Sequence, residues 1–197
     1  LHLSIRRQRQ MCIRDRCTYL ALSVITDYGR LSRIAHPFLM EIFKMSLPTL
    51  ALFTGDPAGI GPELVEKMLQ NPSWQKLARV ILIGQKDAIR VPQEVLWHEW
   101  SGYRAPAFER GVANATNGRY MIEALAAGLD LVMAGQADAF CFAPLNKSAL
   151  RQGGMTQEDE LRWFAEHMHY SGVCGELNVL KNLWTARVTS HVPLNEV

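Results

Sequence analysis

The sequence LALFTGDPAGIGPE, residues 50–63, joins an apolar segment to a glycine-rich loop that opens into a helix. The apolar segment is typical of a buried strand. Pro62 suits the first turn of a helix, where its missing N–H group costs no hydrogen bond. Gly55, Gly59 and Gly61 allow positive φ angles and let another molecule approach the backbone closely. A junction of this kind between a strand and a helix usually faces a ligand.

Two interpretations of this loop remain open. In the first, Gly55, Asp56, Gly59 and Gly61 form a ligand loop, and the first N–H groups of a helix around Glu63–Gln70 face an anion or carboxylate. In the second, the loop is a tight connection between strand and helix that binds nothing. The spacing matches neither GxGxxG nor GxxxxGK[ST], so neither nucleotide-binding fingerprint favours one interpretation.

Strand-like and helix-like segments alternate along the chain, which predicts an α/β domain with a mostly parallel sheet and flanking helices. The predicted strands are Thr49–Phe53, Arg79–Ile83, Ala139–Phe142 and Ala186–Ser190. The predicted helices are Pro62–Gln70, Thr116–Ala134, Lys147–Gln152 and Asp159–His169. Val91–Phe108 lacks clean periodicity, so we expect an irregular connection there. Ligands of open α/β sheets gather beyond the carboxyl ends of the strands, where the glycine loop, Pro144–Lys147 and His191 would meet.

The glycine loop resembles the signature GDPAGIGPE of the 4-hydroxythreonine-4-phosphate dehydrogenase (PdxA) family. Two further segments of that family follow in the expected order, APLNK at residues 143–147 and TSHVPL at residues 189–194. The resemblance extends from about Leu47 to Val197. It implies a fold like that of isocitrate and isopropylmalate dehydrogenases, of which this chain would hold only a part. Those enzymes carry the motif GDGIGPE, a shorter relative of GDPAGIGPE. Since family members exceed three hundred residues, we expect residues 45–197 to be the N-terminal part of such a domain.

The resemblance also assigns candidate site residues. His191 stands where the family has one of three metal-binding histidines, and the other two would lie beyond Val197. A histidine that only makes a hydrogen bond at a strand end is the alternative. Lys147 is the catalytic candidate, because it could present a fixed positive charge to a phosphate or carboxylate, with Asn146 as an orienting substrate ligand. A solvated lysine is the alternative.

The chain departs from the family at its expected Gly-His-Thr-Glu segment. It has TQEDEL at residues 156–161 in that neighbourhood, without a histidine. Gln157 and Asp159 are the candidates for substrate binding here, and an acidic helix start is the alternative. The substrate is therefore left open among 4-hydroxythreonine 4-phosphate, erythronate or threonate 4-phosphate, and cyclic dihydrodiols. His167 and His169 do not replace the missing histidine by pattern, and we expect both at the surface.

The activity implied by the resemblance is oxidation of a hydroxyl group by NAD or NADP, with help from Zn, Mg, Mn or Co and with a possible decarboxylation. The resemblance further implies a cytoplasmic homodimer that acts on a small phosphorylated or carboxylate substrate in pyridoxine biosynthesis. A non-catalytic α/β module that binds an anionic metabolite is the alternative. We expect the present chain alone to be inactive.

Charge is divided unevenly along the chain. Residues 1–44 have a net charge of +5, whereas the remaining residues have −3 within a total of +2. Met11–Arg16 can be encoded by a sequence that resembles a transposase adapter, so we expect residues 1–44 to be a non-native or disordered leader. A natural basic arm is the alternative. The mildly acidic remainder argues against nucleic acid as a partner, and no apolar run is long enough to cross a membrane.

The four cysteines are Cys12, Cys17, Cys141 and Cys174, and none forms a CxxC motif or a zinc-like cluster. This usage fits a reduced, cytoplasmic protein. Cys141 lies in an apolar run, where we expect it to be a buried small hydrophobe.

Overall fold

A four-stranded parallel sheet forms the centre of the fold. The computed structural model describes residues 47–98, 108–172, 174–180 and 182–186. The sheet contains β1 (Thr49–Phe53), β2 (Arg79–Ile83), β3 (Leu96–His98) and β4 (Ala139–Phe142), in the order β3-β2-β1-β4. Phe53 of β1 aligns with Ile83 of β2 and with Phe142 of β4. The carboxyl ends of these three strands therefore share one edge.

Four helices are found in the described residues, and they connect or follow the strands. They are α1 (Gly61–Gln70), α2 (Ala115–Met133), α3 (Lys147–Gln152) and α4 (Glu160–His167), with short 3-10 turns at Pro72–Lys76 and Lys86–Ala88. No helix in this part of the chain is long and apolar enough to cross a membrane.

The sheet has apolar packing on both faces, as parallel sheets require. Ala51 and Phe53 contribute to a core with α2, α3 and α4, in which Tyr120 and Leu125 are fully buried. Leu52, which points to the other face of β1, packs into a second core that contains Val65 and Leu69 of α1 together with side chains of β2. Alternation along β1 thus divides its side chains between the two cores, and the predicted α/β class is confirmed.

The structure corrects the prediction for Val91–Phe108. Residues 96–98 in this segment form the edge strand β3, which pairs in parallel with β2 from Ile81 to Ile83. Sequence periodicity missed it because three residues are too few to display an alternating pattern. Residues 99–107 lie outside the described part of the chain.

The predicted strand Ala186–Ser190 can be compared with the structure only at its first residue, which does lie in a strand. Ala186 ends β6 (Leu183–Ala186), which pairs antiparallel with β5 (Leu177–Leu180) in a separate two-stranded sheet. Residues 187–197 lie outside the described residues, as do residues 1–46 with the predicted leader. The large apolar side chains of these two strands, such as Val179 and Trp184, are exposed in the described structure.

Candidate functional site

Two loops meet where β1 and β4 end. The backbone N–H of Ala143 donates to the carbonyl oxygen of Phe53 at 2.9 Å, which continues the parallel pairing by one residue. The N–H of Asp56 then donates to the carbonyl oxygen of Pro144, also at 2.9 Å. The glycine loop and the segment that leads to Asn146 and Lys147 therefore form one connected unit, as the sheet topology predicted.

Gly55 is required by this contact between the loops. Its φ of +80° is a conformation that residues with a Cβ atom rarely adopt. A Cβ atom at this position would lie 2.6 Å from the carbonyl oxygen of Pro144 and 2.7 Å from that of Ala143. The close approach predicted from the glycines occurs here, but the approaching group belongs to the chain itself.

The other two glycines of the loop do not have positive φ, which corrects that part of the prediction. A Cβ atom on Gly61 would overlap the carbonyl oxygen of Thr54, because α1 begins directly against the end of β1. A Cβ atom on Gly59 would lie 3.3 Å from the carboxylate of Asp56. Packing within the loop accounts for both residues without a ligand, and their predicted part in ligand binding stays a prediction.

Asp56 is buried, with 6% of its surface exposed, and it organises the loop from inside. Its Oδ1 atom accepts a hydrogen bond from the N–H of Ala58 at 3.0 Å, and its backbone oxygen accepts one from Gly59 at 3.0 Å. These bonds hold the turn that precedes α1. Asp56 therefore has a structural function that is sufficient to explain its position.

The N-terminus of α1 already carries a negative charge. Glu63 lies in the first turn and its Oε1 atom accepts a hydrogen bond from the ammonium group of Lys67 at 2.8 Å. This bond and the charge of Lys67 lower the pKa of the Glu63 carboxyl group, and Arg110 adds a smaller effect in the same direction. Because Lys67 offsets the charge of Glu63, this carboxylate does not decide whether an anion binds at the helix end, and the predicted anion site stays a prediction.

Asn146 and Lys147 lie at the start of α3. The Oδ1 atom of Asn146 accepts a hydrogen bond from the N–H of Ala149 at 3.1 Å and so caps the helix. Within the described part of the chain, no hydrogen bond of its amide nitrogen is seen. The ammonium group of Lys147 lies 3.7 Å from the Oε2 atom of Glu160, at the start of α4.

The structure assigns local functions to Gln157 and Asp159. Asp159 caps α4, because its Oδ1 atom accepts a hydrogen bond from the N–H of Arg162 at 2.9 Å. The amide nitrogen of Gln157 donates to Glu166 at 2.5 Å. The acidic helix start is thus confirmed, while substrate binding by either residue stays a prediction. Glu160 is the member of this run that reaches Lys147, a contact that its place in an acidic helix start did not predict.

The predicted metal ligand His191 lies outside the described residues. Within the residues that the structure describes, no three His, Cys, Asp or Glu side chains converge as a metal site would require. His167 is partly buried: its ring stacks on Trp163 and its Nε2 atom lies 2.8 Å from Oδ1 of Asp130. It joins α4 to α2, whereas the exposed His169 follows α4 with a φ of 53°.

Cys141 packs partly buried against the core on the α1 side of the sheet. Burial raises the pKa of its thiol, because a thiolate would lose hydration there. This environment agrees with the predicted small hydrophobe and disfavours a nucleophile.

Comparison with known proteins extends these observations. The family model described as "Pyridoxal phosphate biosynthetic protein PdxA" matches residues 63–197. A Pseudomonas aeruginosa protein named "Putative 4-hydroxythreonine-4-phosphate dehydrogenase 2" is 40% identical over 175 residues, covering 77% of this chain and 52% of the relative. A Bradyrhizobium diazoefficiens protein named "Putative D-threonate 4-phosphate dehydrogenase" is 31% identical over 172 residues, covering 75% and 49%.

A solved structure supports the same fold. The crystal structure of a 4-hydroxythreonine-4-phosphate dehydrogenase from Burkholderia phymatum superposes with a TM-score of 0.66 at 24% identity, covering 77% of this chain and 52% of that one. At this identity the likeness shows the fold alone. The chain spans about half the length of the curated relatives it matches.

Proposed function

Because the chain belongs to the PdxA family, we propose that it forms part of a dehydrogenase that oxidises a hydroxyl group of a small phosphorylated hydroxy acid. The observation that supports this proposal best is the family match over residues 63–197, together with relatives that are named dehydrogenases. We propose 4-hydroxythreonine 4-phosphate or D-threonate 4-phosphate as the substrate, since relatives carry both names.

The chain's own residues would bind and orient the substrate at the edge formed by β1 and β4. Lys147 would attract the anionic group, because its side chain is 59% exposed and its carboxylate partner lies 3.7 Å away. Asn146 would donate a hydrogen bond from its amide nitrogen while its oxygen caps α3. The connected loops, held by the bond from Asp56 to Pro144, would keep these two side chains in a fixed position.

The proposal includes two groups that bind from solution. When bound, NAD or NADP would accept the hydride, and a divalent ion such as Zn, Mg, Mn or Co would polarise the substrate oxygens. An imidazole nitrogen is a suitable donor for such an ion, and His191 is the residue of this chain that we propose as its ligand. We also propose that the complete protein is a cytoplasmic homodimer.

A chimera tests the function directly. The chain from Met45 onward is joined to the second half of the Pseudomonas aeruginosa relative, and NADH formation is followed with each of the two phosphorylated substrates. We expect turnover that chelation abolishes and that added metal restores. A His191→Ala variant should lose metal and turnover, whereas a matched His169→Ala variant should keep both.

Three outcomes would contradict the proposal. The first is a folded chimera that binds metal but oxidises neither substrate, which would favour a non-catalytic binding module. The second is a His191→Ala variant that retains its metal content and turnover, which would refute the ligand assignment. The third is activity that survives chelation unchanged. Light scattering on the chimera tests the homodimer, and a monomer with full activity would refute it.

A further inference from the structure

The ion pair between Lys147 and Glu160 joins two segments that are thirteen positions apart in the sequence. Lys147 begins α3 directly after the β4 loop, and Glu160 begins α4. Their side chains approach to 3.7 Å, with 59% of the lysine side chain and 21% of the glutamate side chain exposed. The pair therefore brings a carboxylate to the cation that the proposed site offers to a substrate.

The geometry indicates a weak pair. A distance of 3.7 Å exceeds that of a charge-assisted hydrogen bond, which is about 2.7–2.9 Å, so the attraction is mainly coulombic. The exposure of Lys147 leaves its ammonium group in contact with water and dissolved ions. An ammonium group has three donors, and Glu160 at this distance satisfies none of them well. A phosphate group could thus approach the same nitrogen and compete with Glu160.

We propose that Glu160 is a specificity-determining residue that competes with the phosphate group of the substrate for Lys147. Without substrate, the Glu160 carboxylate neutralises the ammonium group and lowers its affinity for anions in general. A dianionic phosphate interacts with the ammonium group more strongly than one carboxylate at 3.7 Å, and displaces it. Weakly charged anions do not displace the Glu160 carboxylate from Lys147. The inference rests on the proposed function for assigning Lys147 to the substrate, but its test measures anion binding alone.

The test is a titration of the 197-residue chain with inorganic phosphate, followed by NMR at the backbone N–H groups of Lys147 and its neighbours. Glu160→Gln should tighten phosphate binding about two- to fivefold, the range set by the modest strength of exposed ion pairs. Glu158→Gln is the matched control, because it removes the same charge from the same acidic run at an exposed position that has no ion pair with Lys147 in the described structure.

A second pair of variants assigns the effect to Lys147. Lys147→Met should abolish the phosphate-dependent shifts, and Glu160→Gln should have no effect on anion binding in the Lys147→Met background. Unchanged dispersion of the remaining resonances shows that each variant is folded. Tightening of about two- to fivefold that requires Lys147 would support competition between Glu160 and phosphate.

Three other outcomes of these titrations would overturn the inference. If Glu160→Gln and Glu158→Gln changed phosphate affinity equally, the net charge of the region would explain the effect without competition for Lys147. Weaker phosphate binding in Glu160→Gln would mean that Glu160 positions Lys147 instead of competing for it. If neither the parent chain nor Glu160→Gln bound phosphate through Lys147, the premise that Lys147 binds phosphate would be wrong. An inactive chimera whose Lys147 still binds phosphate would refute the proposed function and leave this inference intact.

Discussion

Replacing Gly55 with alanine should separate the glycine loop from the β4 loop. The backbone conformation at φ +80° costs a residue with a Cβ atom roughly 1–2 kcal/mol. The added methyl group would also lie 2.6 Å from the carbonyl oxygen of Pro144, and overpacking of this kind costs about 1–3 kcal/mol. We therefore expect Gly55→Ala to lower the free energy of unfolding by about 2–5 kcal/mol, a large part of the stability of an ordinary domain.

Gly135→Ala is the matched control for the torsional cost. Gly135 has a φ of +68°, but a Cβ atom there would meet nothing within 4 Å. This variant should therefore lose only about 1–2 kcal/mol. The difference between the two variants measures the clash between the loops.

Urea unfolding of the three proteins, followed by tryptophan fluorescence, measures these losses, provided that the slope of free energy against urea stays constant. In the folded Gly55→Ala protein, NMR shifts should also change at Ala143 and Asn146. If Gly55→Ala and Gly135→Ala agreed within about 0.5 kcal/mol, in line with ordinary surface substitutions, the contact with Pro144 would not require glycine and the reasoning would be refuted.

Leu125→Ala should lower the free energy of unfolding by about 2–5 kcal/mol in the same urea experiment, because the leucine side chain is fully buried. Leu77→Ala is the control: this side chain is 70% exposed, and its loss should change the free energy of unfolding by about 0.5 kcal/mol or less. Equal losses would contradict the assigned core. Asp159→Ala should lower the free energy of unfolding by about 0.5–2 kcal/mol, because it removes the cap of α4. Asp159→Asn should keep most of that stability, because asparagine also caps helices. An alanine variant as stable as the parent protein would show that the cap does not contribute to stability. Alkylation of Cys141, followed by peptide mass spectrometry, should require higher pH in the native protein than in urea, because the raised pKa leaves less thiolate at a given pH. The same pH profile in both conditions would show that burial does not protect this thiol.

Much of the domain could be predicted because its signals are local. The strands TLALF, RVILI and AFCF each contain a continuous apolar run of four residues, as expected for strands that are covered on both faces. The helical spacing of apolar residues in Thr116–Ala134 likewise predicted α2 to within one residue at each end. Asp159 and Glu160 marked the beginning of α4, since acidic residues are favoured in the first turn.

Other features depend on contacts between segments that are distant in the sequence. The sequence LALFTGDPAGIGPE determined a strand, a loop and a helix, but it could not show that Gly55 faces the carbonyl oxygen of Pro144. Strand β3 exists because β2 offers it a partner, and three residues carry no period of their own. The approach of Glu160 to Lys147 requires the first residues of α3 and α4 to lie close together. The sequence by itself thus determined the elements and the family motifs, whereas tertiary packing decided which loop needs glycine and which carboxylate meets the candidate cation, because those distances are set by atoms from different segments.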